Sequence, residues 1–117
     1  MRAIIYRETG DPTVLQLVER TPPTPANGEV LVKIEYSGVN PTDWKSRRGA
    51  KPGDSLQFAE VVPNQDGSGT IIEVGEGVSP SRIGQRVWIW EAAYQRANGT
   101  AQEMVAIAQS QAVPLPD

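Results

Sequence analysis

The side chains that most often carry catalysis are missing from this chain: its 117 residues include no histidine and no cysteine. Imidazole bases, thiol nucleophiles and disulfides are therefore excluded, and a zinc site is hard to build without its usual nitrogen and sulfur donors. No nucleophile–base pair can be assembled from what remains, so covalent catalysis is disfavoured. The chemistry left is hydrogen bonding, charge and aromatic surface. It is densest in Asn64-Gln65-Asp66-Gly67-Ser68-Gly69-Thr70-Ile71-Ile72-Glu73-Val74-Gly75-Glu76-Gly77. There a polar pair, Gln65 and Asp66, precedes two glycines that let the backbone bend sharply or come close to a neighbour. A second group is Asn40-Pro41-Thr42-Asp43-Trp44-Lys45. Trp88 and Trp90 could line a pocket for a flat ring or belong to the core or the outer surface. Tyr94 could donate a proton or touch a substrate.

The glycines do not form a dinucleotide fingerprint. That motif needs G-x-G-x-x-G between a strand and a helix. Here the third glycine is absent and β-branched residues follow Gly69, so a structural role for the glycines is expected. Asn98-Gly99-Thr100 matches a glycosylation sequon but reads more simply as a turn.

The elements that must position these groups are mostly short strands. Residues 3–6 and 14–20 read as two, the latter with Leu15 and Leu17 on one face. Residues 29–36 alternate Val30, Val32, Ile34 and Tyr36 with Glu29, Leu31, Lys33 and Glu35, the period of a half-buried strand. Asn27-Gly28 signals a turn before it. Asn40 fits an N-cap, Pro41 the first helical position and Asp43 the third, predicting a helix to about Arg48 that Gly49 stops. A loop over 51–63 has Phe58, Val61 and Val62 available to pin it. The glycine-bracketed strand 70–74 is expected in the middle of a barrel, with Gln65 and Asp66 on its rim. Strands over 86–90, 103–108 and 113–117 complete a tally of about seven strands and one short helix.

Composition agrees with one domain and argues against several partners. Ten prolines and eleven glycines favour short strands over long helices. A net charge of −3 argues against nucleic acid or an anionic membrane as partner. No apolar run reaches the length of a signal peptide or a membrane span, so a cytoplasmic location is the default expectation.

The order of motifs is more specific than any one of them. Gly28-Glu29-Val30-Leu31-Val32-Lys33, Gly38-Val39-Asn40-Pro41-Thr42-Asp43-Trp44, Asp66-Gly67-Ser68-Gly69 and Val74-Gly75-Glu76-Gly77-Val78 occur in sequence. Gly84-Gln85-Arg86-Val87-Trp88, Gly99-Thr100-Ala101-Gln102-Glu103 and Val113-Pro114-Leu115-Pro116-Asp117 follow. Together they resemble the N-terminal GroES-like domain of medium-chain dehydrogenases/reductases, and within them the zinc-free quinone oxidoreductase (ζ-crystallin-like) branch. The resemblance covers residues 1–117 and implies a mainly β, partly open GroES-like barrel with one or two short helices. It also implies that a Rossmann domain, which holds most NADPH contacts, is absent from this chain. The chain is then a piece of a longer enzyme, expected to be inactive alone.

The resemblance implies the chemistry as well. Zinc-dependent relatives have a cysteine where Asn40 stands and a His-Glu pair where Gln65 and Asp66 stand, so a zinc-free site is expected. The whole enzyme would pass hydride from NADPH to a quinone or conjugated carbonyl and act as a homo-oligomer. Asn40, Asp43 and Trp44 are the expected cofactor contacts. Lys45, Gln65, Asp66 and Tyr94 are the expected substrate contacts, with no catalytic acid, base or metal ligand assigned. Asn40 and Asp43 equally suit helix capping, and Lys45, Arg47, Arg48 and Lys51 suit a solvated face. A GroES-like assembly module and a small-ligand binding barrel are the rival expectations.

Overall fold

β-branched residues at alternate positions build most of the sheet, because they pack on a pleated surface. The computed structural model describes residues 1–116. Its strands are β1 (Arg2–Ile5), β2 (Gln16–Glu19), β3 (Glu29–Ser37), β4 (Gly67–Val74), β5 (Arg86–Ile89), β6 (Met104–Ala108) and β7 (Ala112–Pro114). β1 and β2 pair antiparallel as a small sheet, and the other five form an antiparallel sheet ordered β6-β3-β4-β5-β7. One helix, α1 (Pro41–Arg48), and three 3-10 turns complete the fold, which is the mainly β half-barrel that the strand pattern implied.

The sheet curls around a core of Val30, Val32, Ile71, Val87, Ile89, Val105 and Ile107, closed by Val78, Ala92 and Ala112. A satellite cluster of Ala3, Ile5 and Val62 joins β1 to the long loop. That loop is pinned much as expected: Val62 is buried, Phe58 half-buried, and Val61 bridges Tyr6. Among the described residues, no helix is long and apolar enough to cross a membrane.

The glycine-rich strand is indeed central, but Gly67 and Gly69 lie within it rather than in a bend ahead of it. A Cβ at Gly69 would stand 2.0 Å from the Lys33 carbonyl oxygen, and one at Gly67 2.5 Å from that of Tyr36. The glycines therefore allow β3 and β4 to approach more closely than side chains would permit.

Other expectations fail for local reasons. Residue 14 ends a 3-10 turn capped by Asp11, so β2 starts at Gln16; Val18 packs inward while Leu17 is 68% exposed. Leu31 is buried although alternation put it outside: Val30 and Val32 keep the core face and β3 pairs with β6 without a break, so the opposite face is covered at this position as well. Tyr36, expected inside, is 74% exposed, because a register shift between Ile34 and Tyr36 turns it to the opposite face. Asn98-Gly99 is no turn: Asn98 bridges Val62, and a Cβ on Gly99 would meet the Pro63 carbonyl oxygen at 2.3 Å. The closing strand is β7, and Asp117, the last residue expected in it, lies outside the described residues.

Candidate functional site

The site forms where the start of α1 meets the segment leading into β4. Asn40 has extended backbone angles, Pro41 opens the helix, and Asp43 sits at the third position, as the residue types predicted. The Asp43 carboxylate returns to the Asn40 backbone N–H at 2.8 Å, and its other oxygen accepts the Gln65 backbone N–H at 3.1 Å. One buried side chain thus ties the helix start to the rim. The Asn40 amide nitrogen reaches across to the rim and donates to Asp66 Oδ2 at 3.1 Å.

The rim, residues 64–66, is held by hydrogen bonds from several elements. The Asp66 carbonyl accepts from Gly38 N–H at 3.0 Å and from Thr100 Oγ1 at 2.6 Å. Thr100 is fully buried, and its hydroxyl lies 2.8 Å from Ser37 Oγ, which accepts from Asn64 Nδ2 at 2.8 Å. Asn64 has φ 81°, a left-handed conformation that asparagine tolerates better than most residues. Gln65 is anchored too: its carbonyl accepts from Ala92 N–H at 2.8 Å and its Oε1 from Ala93 N–H at 3.1 Å. The Asn40 amide and the Asp66 carboxylate therefore face each other on a preorganised frame.

Burial pushes the Asp43 carboxyl above its ordinary value of 3.8. The Asn40 and Gln65 N–H groups pull it back, and the negative charge of Asp66 adds to the rise. Burial also raises the Tyr6 phenol, with the Asp43 charge as a second cause, so Tyr6 stays neutral beside the site. Sequence reasoning missed Tyr6 and Thr100, because nothing local marks either as a neighbour of residue 43 or 66.

Of the expected site residues, the structure unites Asn40, Asp43, Gln65 and Asp66 in one hydrogen-bond network. Trp44 follows on α1, partly exposed, with the Arg48 guanidinium 4.9 Å and Lys45 Nζ 5.6 Å from its ring centroid. Lys45 thus carries its ammonium within cation–π range of Trp44. Tyr94 is 58% exposed and outside the network, its backbone N–H bonded to the Glu91 carbonyl. Trp88 and Trp90 lie partly exposed on the outer surface, not in the core.

The donor set does not fit zinc. The positions compared with metal ligands hold two amides and one carboxylate, and the carboxylate already accepts from Asn40. Among the described residues, no group of three or more histidine, cysteine, aspartate or glutamate side chains could hold a metal ion.

Comparison with known proteins identifies the family. The alcohol dehydrogenase GroES-like domain family matches residues 26–117. A quinone oxidoreductase of Mus musculus is 36% identical over 121 aligned residues, which cover 100% of this chain and 34% of that protein. A trans-enoyl reductase of Gibberella fujikuroi is 42% identical over 73 residues, 62% of this chain and 20% of that protein. The crystal structure of Escherichia coli quinone oxidoreductase complexed with NADPH superposes with a TM-score of 0.82 at 31% identity, covering 99% of this chain and 33% of that one. The chain spans from a fifth to about a third of the length of these relatives. It belongs to the alcohol dehydrogenase GroES-like domain family, among the medium-chain dehydrogenases/reductases that include the quinone oxidoreductases.

Proposed function

We propose that the chain is the substrate-side half of a zinc-independent, NADPH-dependent reductase of quinones or conjugated carbonyls. The observation that carries the reading is the Asn40–Asp66 hydrogen bond, a polar clamp at the positions compared with metal ligands. The Asn40 amide carries two N–H donors and a carbonyl acceptor; Asp66 engages one donor, and the same amide is the group assigned here to an oxygen of a bound ligand. Asp66, which only accepts when ionised, dictates which end of the Asn40 amide turns toward it. The rim holds both groups in place, so little reorganisation accompanies charge development on that oxygen.

The chain suits only the reactive end of a nicotinamide. Gly67 and Gly69 are committed to a ladder between β3 and β5 and offer no phosphate cradle, so pyrophosphate and adenosine need a second domain. NADPH, when bound, supplies the hydride. Asn40 would hold the acceptor carbonyl or the carboxamide, with Trp44 presenting a flat surface nearby. Zinc independence rests on the donor set. The proposal includes a small-molecule substrate, a cytoplasmic homo-oligomeric enzyme, and no turnover by this chain alone. The buried Val62 and half-buried Phe58 weigh against the assembly-module alternative, which needs a free gripping loop.

The test is NADPH-dependent reduction of a simple quinone by the full-length product, repeated with Asn40→Ala. Losing a hydrogen bond to developing charge, about 1.5–3 kcal/mol, should lower kcat/KM roughly 10- to 100-fold. An unchanged kcat/KM removes Asn40 from the site.

A further inference from the structure

The bulge in β3 has a consequence on the outer face of the sheet. Tyr36 pairs with Ser68, and Ser68 pairs with Trp88, so these three side chains stand in one row across β3, β4 and β5. The opposite face belongs to Val87 and Ile89 of the core. Without the register shift between Ile34 and Tyr36, the phenol would fall on the face that Ile34 shares with the core. Tyr36 is 74% exposed and Trp88 42%, and the two share one hollow. That hollow, about 320 Å³, is lined by both of them with Ser68, Gly38, Gly67 and Asp66.

We propose that this slot binds a planar, electron-poor ring bearing no negative charge, sandwiched between Tyr36 and Trp88 above Ser68. The width fits. Strands lie roughly 4.8 Å apart, so a ring centred over Ser68 lies about 4.8 Å from each wall, within the roughly 4.5–7 Å of aromatic pairs. The volume falls at the lower end of ordinary small-ligand pockets, about 300 Å³ and up. The charge fits as well. Phenol and indole present negative π faces, which favour an electron-poor partner. Among the described residues no lysine or arginine lines the hollow, and its acidic side chain is the Asp66 carboxylate, which repels anions. Ser68 supplies a hydroxyl donor to a ring carbonyl. Asp66 belongs to both this slot and the clamp with Asn40, so the two are continuous. The inference rests on the reductase reading only for the natural identity of the ring.

The experiment titrates the isotopically labelled chain with 1,4-naphthoquinone and with its 2-sulfonate, following the indole N–H resonances of Trp44, Trp88 and Trp90. The neutral quinone should shift Trp88 saturably and leave Trp44 in place, and the sulfonate should bind at least tenfold more weakly. Tyr36→Ala should weaken binding about tenfold, while Tyr36→Phe should retain it. Because Tyr36 is mostly exposed, neither variant should perturb folding, which the remaining resonances report. A Trp88 signal that does not move, Tyr36→Ala binding like the unaltered chain, or equal affinity for the sulfonate each overturns the proposal. No turnover is measured, so failure of the reductase assay leaves this result standing, and the reverse holds.

Discussion

Replacing Asp43 with asparagine tests how the site is held together. The carboxylate accepts two backbone N–H groups, from Asn40 at 2.8 Å and Gln65 at 3.1 Å, with the residue only 6% exposed. An amide offers one oxygen, so one of these N–H groups must face an NH2 group. Leaving a buried donor unsatisfied costs about 1–3 kcal/mol, and losing a negative charge at a helix start costs about 0.3–1 kcal/mol more. Relief of the burial penalty and of repulsion from Asp66 offsets part of this. The net loss should be about 2 kcal/mol, or roughly 6–12 °C in Tm for a domain of this size. The pH dependence has a definite sign. Because the folded carboxyl sits above its ordinary value of 3.8, the folded state binds more protons between the two values. The stability that Asp43 contributes is full below about 3.8 and declines as pH rises through the folded value. The gap between parent and Asp43→Asn should therefore be widest near pH 4 and narrow toward pH 8. Asp11 and Glu103, both held below their ordinary values by hydrogen bonds to Thr13 and Arg2, titrate in both proteins and cancel in the difference. Urea denaturation at a series of pH values measures this directly. A penalty that grows with pH, or none at any pH, would refute the account.

Further outcomes follow from the same geometry. Gly69→Ala drives a methyl group to 2.0 Å from the Lys33 carbonyl oxygen between two central strands, and should cost at least about 3 kcal/mol or abolish folding, read by denaturation or soluble yield. Thr100→Val keeps the shape but removes the hydroxyl between Ser37 and the Asp66 carbonyl; it should lose about 1–2 kcal/mol and speed amide exchange of the rim. Ile71→Ala, at a fully buried position in β4, should cost about 2–5 kcal/mol by the same denaturation assay. Added zinc should leave the Tm of the chain unchanged, and chelator should leave quinone reduction by the full-length product unchanged; a zinc-dependent rate would end the metal-independent reading.

Sequence alone settled what short-range chemistry controls. β-branched alternation marks β3, β5 and β6, and Asn40-Pro41 with Asp43 marks the start of α1, because capping and strand preference act within a few residues. The missing histidine and cysteine limited the donors these 117 residues can offer with no structure at all. Tertiary structure decided where long-range pairing competes with local pattern. That the Asn40 amide nitrogen reaches Asp66, 26 residues away, had no local signal, because only the fold brings that carboxylate to the helix start. Gly67 and Gly69 look like a bend until β3 is laid against them. Tyr36 follows the buried period of its strand until a register shift with β4 turns it outward, since alternation assumes an unbroken ladder and a bulge breaks it.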